Sequence, residues 1–171
     1  KLKAKEALPF LLEKLKKDPS SSLKIYLLEA VGAMEDPVAK PILEESLESP
    51  VLLENYTASL GLRHLWTVED FPKLIEFLKK KEPSYYQSQE TVLHFLCDHR
   101  KEWNPEQIQE LFQVLCDHPQ PNIRYLLFQI LRERDPALAK ILMEKEKNDF
   151  VKREMAKMSL PPDTKDGAEK E

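Results

Sequence analysis

Residues 7–37, ALPFLLEKLKKDPSSSLKIYLLEAVGAMEDP, constrain the fold of this chain more than any other stretch. They read as helix, short turn, helix, stop. Leu8, Leu11, Leu12 and Leu15 fall at i, i+3, i+4 and i+7, one face of a 3.6-residue period. Asp18-Pro19 ends that run, since proline cannot continue the backbone hydrogen bonding. Leu23, Leu27, Ala30, Val31 and Met34 repeat the period and define an inward stripe, and Asp36-Pro37 opens another copy. One helix pair cannot bury its apolar faces alone, so the rest of the chain must supply neighbours.

Read in order, the chain predicts helices over 2–17, 20–35, 37–48, 50–65, 68–81, 85–99, 105–116, 121–134, 136–146 and 149–158. Their starts carry side chains that can accept orphan backbone N–H groups. These are the Ser20-Ser21-Ser22 run, Asp36-Pro37, Ser49-Pro50, Thr67 with Asp70, Ser84 with Gln87, Asn104-Pro105 and Asp135-Pro136. The fourth helix is expected to turn Leu52, Tyr56, Leu60 and Leu65 inward. Residues 159–171 are polar without an apolar period and are expected to be a disordered tail.

Prolines early in alternate helices fall at 9, 41 and 72, and Leu111-Phe112 repeats the placement of Leu74-Ile75. Four helix pairs and a shorter fifth, at a period between 30 and 45, point to an α-solenoid occupying one domain over residues 1–158. Only three glycines occur and strand alternation is absent, so the fold class is all-α. A tetratricopeptide array is the nearest competitor and a compact helical bundle the next. The former places Trp and Leu-Gly early in its unit, whereas Trp66 and Trp103 fall in connections and the interior glycines fall late in second helices.

Lys plus Arg is 26 against 30 for Asp plus Glu, a net charge of −4. Nucleic-acid binders gain affinity by neutralising phosphates, so this balance argues against that class. No apolar run of about 18 residues occurs, hence no membrane span. The chain starts at Lys1 without methionine and without a cap for its first helix, and is read as an excised or processed piece. Cys97 and Cys116 are each followed by Asp-His. A helix over 105–116 would hold them roughly 18 Å apart, beyond the Cα separation of about 7 Å that a disulfide tolerates. Two reduced thiols favour a cytosolic setting.

The residues carry a resemblance. Ala7-Leu8-Pro9 through Leu15, then Asp18, Leu23-Lys24, Ala30-Val31-Gly32 and Asp36-Pro37 resemble the HEAT repeat, in its short bacterial-type form. Asp117 with Ile123-Arg124, Pro41 with Leu60-Gly61, and Pro72 extend the likeness over about residues 4–158. The second unit departs from it, with Glu48 in the turn and Leu52-Leu53 where an apolar–basic pair is expected. The resemblance implies a right-handed α-α superhelix whose second helices line a concave face. It also implies a ladder in which Asp18, Lys24, Asp117 and Arg124 are rungs, each exposed pair contributing about 0–1 kcal/mol.

Aligning Lys24 with Arg124 places Ile25, Leu28, Glu29 and Gly32 opposite the inward stripe, matched by Tyr125, Phe128, Gln129 and Arg132. In the middle units Glu54, Thr57 and Ala58, then Glu90, Leu93 and His94, take that position. The candidate binding residues are therefore Glu29, Glu54, Glu90, His94, Tyr125, Phe128, Gln129 and Arg132, facing a peptide or protein partner. Leu28 and Phe128 could equally pack against adjacent units.

No glycine-rich phosphate loop, His-Glu-x-x-His, Cys-x-x-Cys or Gly-x-Ser-x-Gly occurs. The paired Cys-Asp-His stretches at 97–99 and 116–118 are read as helix-end residues, with histidine against the helix dipole. No catalytic residue, metal site or cofactor is assigned. HEAT-fold enzymes remain the alternative: hydroxylases of this fold use His-Glu dyads, which are absent here, and bilin lyases leave no motif to test. HEAT-like DNA glycosylases need a basic concave face.

Overall fold

A computed structural model describes residues 2–17 and 20–158, with side chains from Glu6 onward. The turn at Asp18-Pro19 and the tail from Ser159 lie outside the described residues. Those described form ten α-helices and no strand. They are α1 (Leu2–Lys16), α2 (Ser21–Gly32), α3 (Lys40–Leu47), α4 (Leu52–Leu62), α5 (Phe71–Leu78), α6 (Tyr86–Asp98), α7 (Pro105–Leu115), α8 (Pro121–Arg134), α9 (Pro136–Lys145) and α10 (Asp149–Lys157). Single 3-10 turns, Pro37–Ala39, Val68–Asp70 and Pro83–Tyr85, lead into α3, α5 and α6. The chain divides into two compact units, Lys1–Phe95 and Leu96–Glu171, and the division falls within α6.

The starts of these helices follow their sequence signals. Asp36 accepts from the Val38 N–H at 3.1 Å, and Asp135 from the Leu138 N–H at 3.0 Å. Asn104 and Gln107 each bond the other's backbone N–H at 2.9 Å, a full capping box. Asp70 accepts from the Thr67 N–H at 2.8 Å. Three expected caps differ. Ser49-Pro50 precedes the N-cap of α4, which is Val51 without a side-chain bond, and the Ser49 hydroxyl accepts from the Val51 N–H at 3.2 Å instead. Ser84 lies inside the Pro83–Tyr85 turn, where its carbonyl accepts from Asn55 at 3.2 Å. Ser20 stands at the N-cap of α2 without a side-chain bond. Pro41 and Pro72 occupy the first turns of α3 and α5, where a missing N–H has no intrahelical partner. Pro9 instead lies inside α1.

In the N-terminal unit α1 packs on α2, α2 runs along α4, and α3 packs on α4. In the C-terminal unit α8 packs on α7, α9 and α10. Several polar ties within each unit join residues 29–33 apart in sequence, matching the repeat of the prolines. Lys40 reaches Asp70 at 2.6 Å, Lys73 reaches Glu44 at 3.2 Å, and Ser88 donates to Asn55 at 2.6 Å. Arg100 reaches Glu133 and Arg134 reaches the Trp103 carbonyl, both at 2.7 Å. The ladder differs from its expected form. Lys24 pairs with Glu54 at 2.9 Å and Arg124 with Glu146 at 2.6 Å, so each acid comes from the next helix pair rather than from the turn. Asp117 accepts from the Cys116 thiol instead.

The buried stripe of α2 is Leu27, Leu28, Val31 and Gly32, rotated from the expected one: Leu23 is exposed and Ala30 half-buried. On α4 the difference is larger. Glu54, Asn55, Ala58, Ser59, Gly61 and Leu62 are buried, while Leu52 and Leu60 are exposed. The reason is that α4 is covered by α2, α3 and the Pro83–Tyr85 turn, so small residues and fully bonded polar ones take its tightest positions. Asn55 donates to the carbonyls of Ser49 at 2.9 Å and Ser84 at 3.2 Å while accepting from Ser88. Gln89 donates to the Lys80 carbonyl at 2.9 Å beyond the end of α5.

Helices α2 and α4 meet backbone to backbone at their glycines. A Cβ on Gly61 would lie 2.7 Å from the Gly32 Cα and 3.3 Å from Leu43 Cδ1. The clash is with backbone, so Gly61→Ala must part the helices, which costs about 2–3 kcal/mol against the gain of about 1 kcal/mol from alanine's helix propensity. The expected result is a melting temperature lower by roughly 2–8 °C at about 2–4 °C per kcal/mol. A melt unchanged or raised would show that the glycines do not set the spacing.

Candidate interaction surface

The eight predicted binding residues separate into exposed and buried sets. Glu29 on α2 and His94 on α6 are exposed; Glu90 on α6 and Tyr125, Gln129 and Arg132 on α8 are half-buried. Glu54 and Phe128 are corrections. The Glu54 carboxylate is buried, receiving Lys24 at 2.9 Å and the Ser49 hydroxyl at 2.8 Å. Burial alone pushes its pKa up, but the hydrogen bonds and charge of Lys24 outweigh it and hold the pKa below the ordinary value. Phe128 is 0% exposed, because α8 is covered by three helices and buries two adjoining rows. Leu28 on α2 and Leu93 on α6 are buried as well.

The outward row of α2 is Ser22, Ile25, Tyr26, Glu29 and Ala33; that of α4 is Leu53, Tyr56, Thr57, Leu60 and His64. The expected register on α4 was thus one residue away, naming Glu54 where Leu53 stands. Tyr26 is 69% exposed, Leu53 54% and Leu60 43%. Sequence reasoning passed over Tyr26, Leu53 and Leu60. Their signal was available: on a helix buried along a small and polar row, large apolar residues on the opposite row face solvent.

Between these rows lies an open groove of about 350 Å³. Gly32 and Gly61 form its floor, Glu29 and Glu35 stand on one side, and Leu60 and His64 on the other. Glu35 follows the end of α2 with φ at 52°, the left-handed region that favours glycine. Among the described residues no cation pairs with Glu29. His64 Nδ1 lies 4.0 Å from the Glu35 carboxylate, beyond hydrogen-bond reach. A second groove, of about 410 Å³, lies on the α3–α5 side over Leu47, Trp66 and Phe77. Its charges are already paired: Lys73 with Glu44, Lys80 with Glu48 while lying 4.4 Å from the Tyr85 ring centroid, Asp70 with Lys40 and Glu76 with Lys79.

The Cys-Asp-His stretches make structural contacts. The Cys97 thiol donates to the Leu126 carbonyl at 3.5 Å, and burial pushes its pKa up to about 12, so it stays protonated. The Cys116 pKa is raised too, first by burial and then by Asp117. His99 bonds Glu102 at 2.7 Å. The buried His118 accepts the Gln120 N–H at 3.1 Å through Nδ1, and its carbonyl accepts from Arg124. Among the described residues no three His, Cys, Asp or Glu side chains are placed to hold a metal ion. No described helix is long and apolar enough to cross a membrane. Comparison with protein-family models, with curated proteins and with solved structures returns no significant match.

Proposed function

We propose that residues 1–158 form a HEAT-like helix-pair solenoid that acts as a non-enzymatic scaffold, binding a peptide or protein segment on the surface of its second helices. The observation that carries this reading is the outward row of α2 and α4, which leaves Tyr26, Leu53 and Leu60 in solvent, with Leu60 lining an open groove. Large apolar side chains grouped with polar ones are the composition of interface centres. Support for the repeat comes from the ties between residues 29–33 apart in each unit. The α3–α5 groove has its charges spent internally and offers less to a partner.

Selection of displayed random peptides on the whole chain tests this. Enriched peptides should lose about tenfold or more in affinity on a Leu53→Asp/Leu60→Asp variant, whose substitutions lie on exposed positions and leave the melt unchanged. Peptides that bind the variant equally, or no enrichment at all, would overturn the assignment.

A further inference from the structure

We infer that the α2–α4 groove takes an arginine of the partner segment, forked onto Glu29 with Glu35 adding negative charge further along the same side, and with a neighbouring aliphatic side chain laid against Leu60. The inference rests on the scaffold reading and names its ligand chemistry. Three observations carry it. First, the ionisable side chains lining the groove are two carboxylates and one histidine. Second, the nearby basic side chain of Lys24 is engaged by the buried Glu54 at 2.9 Å, and no described cation pairs with Glu29. An acid left unpaired beside apolar walls presents an acceptor that a partner's cation can satisfy. Third, the exposed ring of Tyr26 sits one turn before Glu29 on the same row. A planar guanidinium can stack on such a ring while it forks onto a carboxylate; a lysine ammonium does only the second.

Glu35 has a second distinguishing feature, its positive φ. Its backbone sits where glycine is the low-cost residue, yet it carries a carboxylate into the groove. Glu35→Gly removes the charge and the strained side chain together. This variant should fold at least as well as the parent while binding less, which separates a ligand role from a structural one.

An array of hexapeptides, each made once with arginine and once with its neutral isostere citrulline, provides the test against the whole chain. Arginine peptides with an adjacent leucine or valine should bind about tenfold more tightly than their citrulline copies, and the difference should shrink in high salt. Glu29→Gln and Glu35→Gly should each erase most of the preference with melting temperatures no lower than the parent's. Equal binding of the two copies, or a preference that survives both substitutions, would overturn the inference. Peptides that bind through Leu53 and Leu60 without an arginine preference would sink this inference and leave the scaffold reading standing. Absence of binding by every peptide would remove both.

Discussion

Arg124→Ala is expected to destabilise the C-terminal unit by about 3–5 kcal/mol, the cost of leaving a buried carboxylate without its counter-charge. The Arg124 guanidinium bonds both oxygens of Glu146, at 2.6 and 2.8 Å, and also donates to the carbonyls of His118 and Pro119. The Glu146 side chain is fully buried. Burial pushes its pKa up, but hydrogen bonds from Arg124 and from the Asn148 N–H, together with the arginine charge, bring it below the ordinary 4.5. A carboxyl with a lowered folded pKa stabilises above its unfolded value, and that contribution fades as pH falls through the folded one. Without Arg124 the sign reverses: the buried acid is held above its ordinary pKa, and acid relieves it. Urea unfolding of parent and variant should therefore show a wide gap at pH 7 that narrows as pH drops through and below 4.5. A gap constant across that range would show that charge is not its source. Arg124→Leu/Glu146→Leu should recover much of the loss, since the orphaned charge is gone.

Phe128→Ala should cost about 3–5 kcal/mol as a cavity between packed helices. Gln129→Ala, one residue on and half-buried, should stay within about 0.5 kcal/mol. The contrast matters for function. Any binding lost on changing Phe128 would track the loss of folded protein, read from circular dichroism melts at the assay temperature. A Phe128→Ala protein with a near-parental melt would return that ring to the surface set.

Much of the secondary structure was legible because its punctuation is chemical. Asp36, Asn104 and Asp135 mark helix starts by supplying an acceptor ahead of a proline, and the caps formed there. The faces were harder. On α2 and α8 the apolar residues are too many for one stripe, and two adjoining rows are buried, so Leu28 and Phe128 turned inward. On α4 the pattern misled because burial follows partners, not hydropathy. Asn55 and Glu54 are inside only because Ser84, Ser88 and Lys24 come to meet them from 29 to 33 residues away. Spacing along a chain does not specify such meetings. The candidate surface inherited this error, one residue of register on α4 and two buried side chains among eight, while Glu29, Glu90, His94, Tyr125, Gln129 and Arg132 kept some exposure.

The amide of Asn55 has a consequence for how this chain could be rebuilt. It fastens the start of its own helix to the Pro83–Tyr85 turn and to Ser88 on α6, the following pair. A helix pair excised from here and spliced elsewhere would carry an amide with nothing to answer it. The N-terminal unit is thus less like beads on a string than like a dovetailed joint, and shuffling its segments should fail unless both halves of the joint travel together.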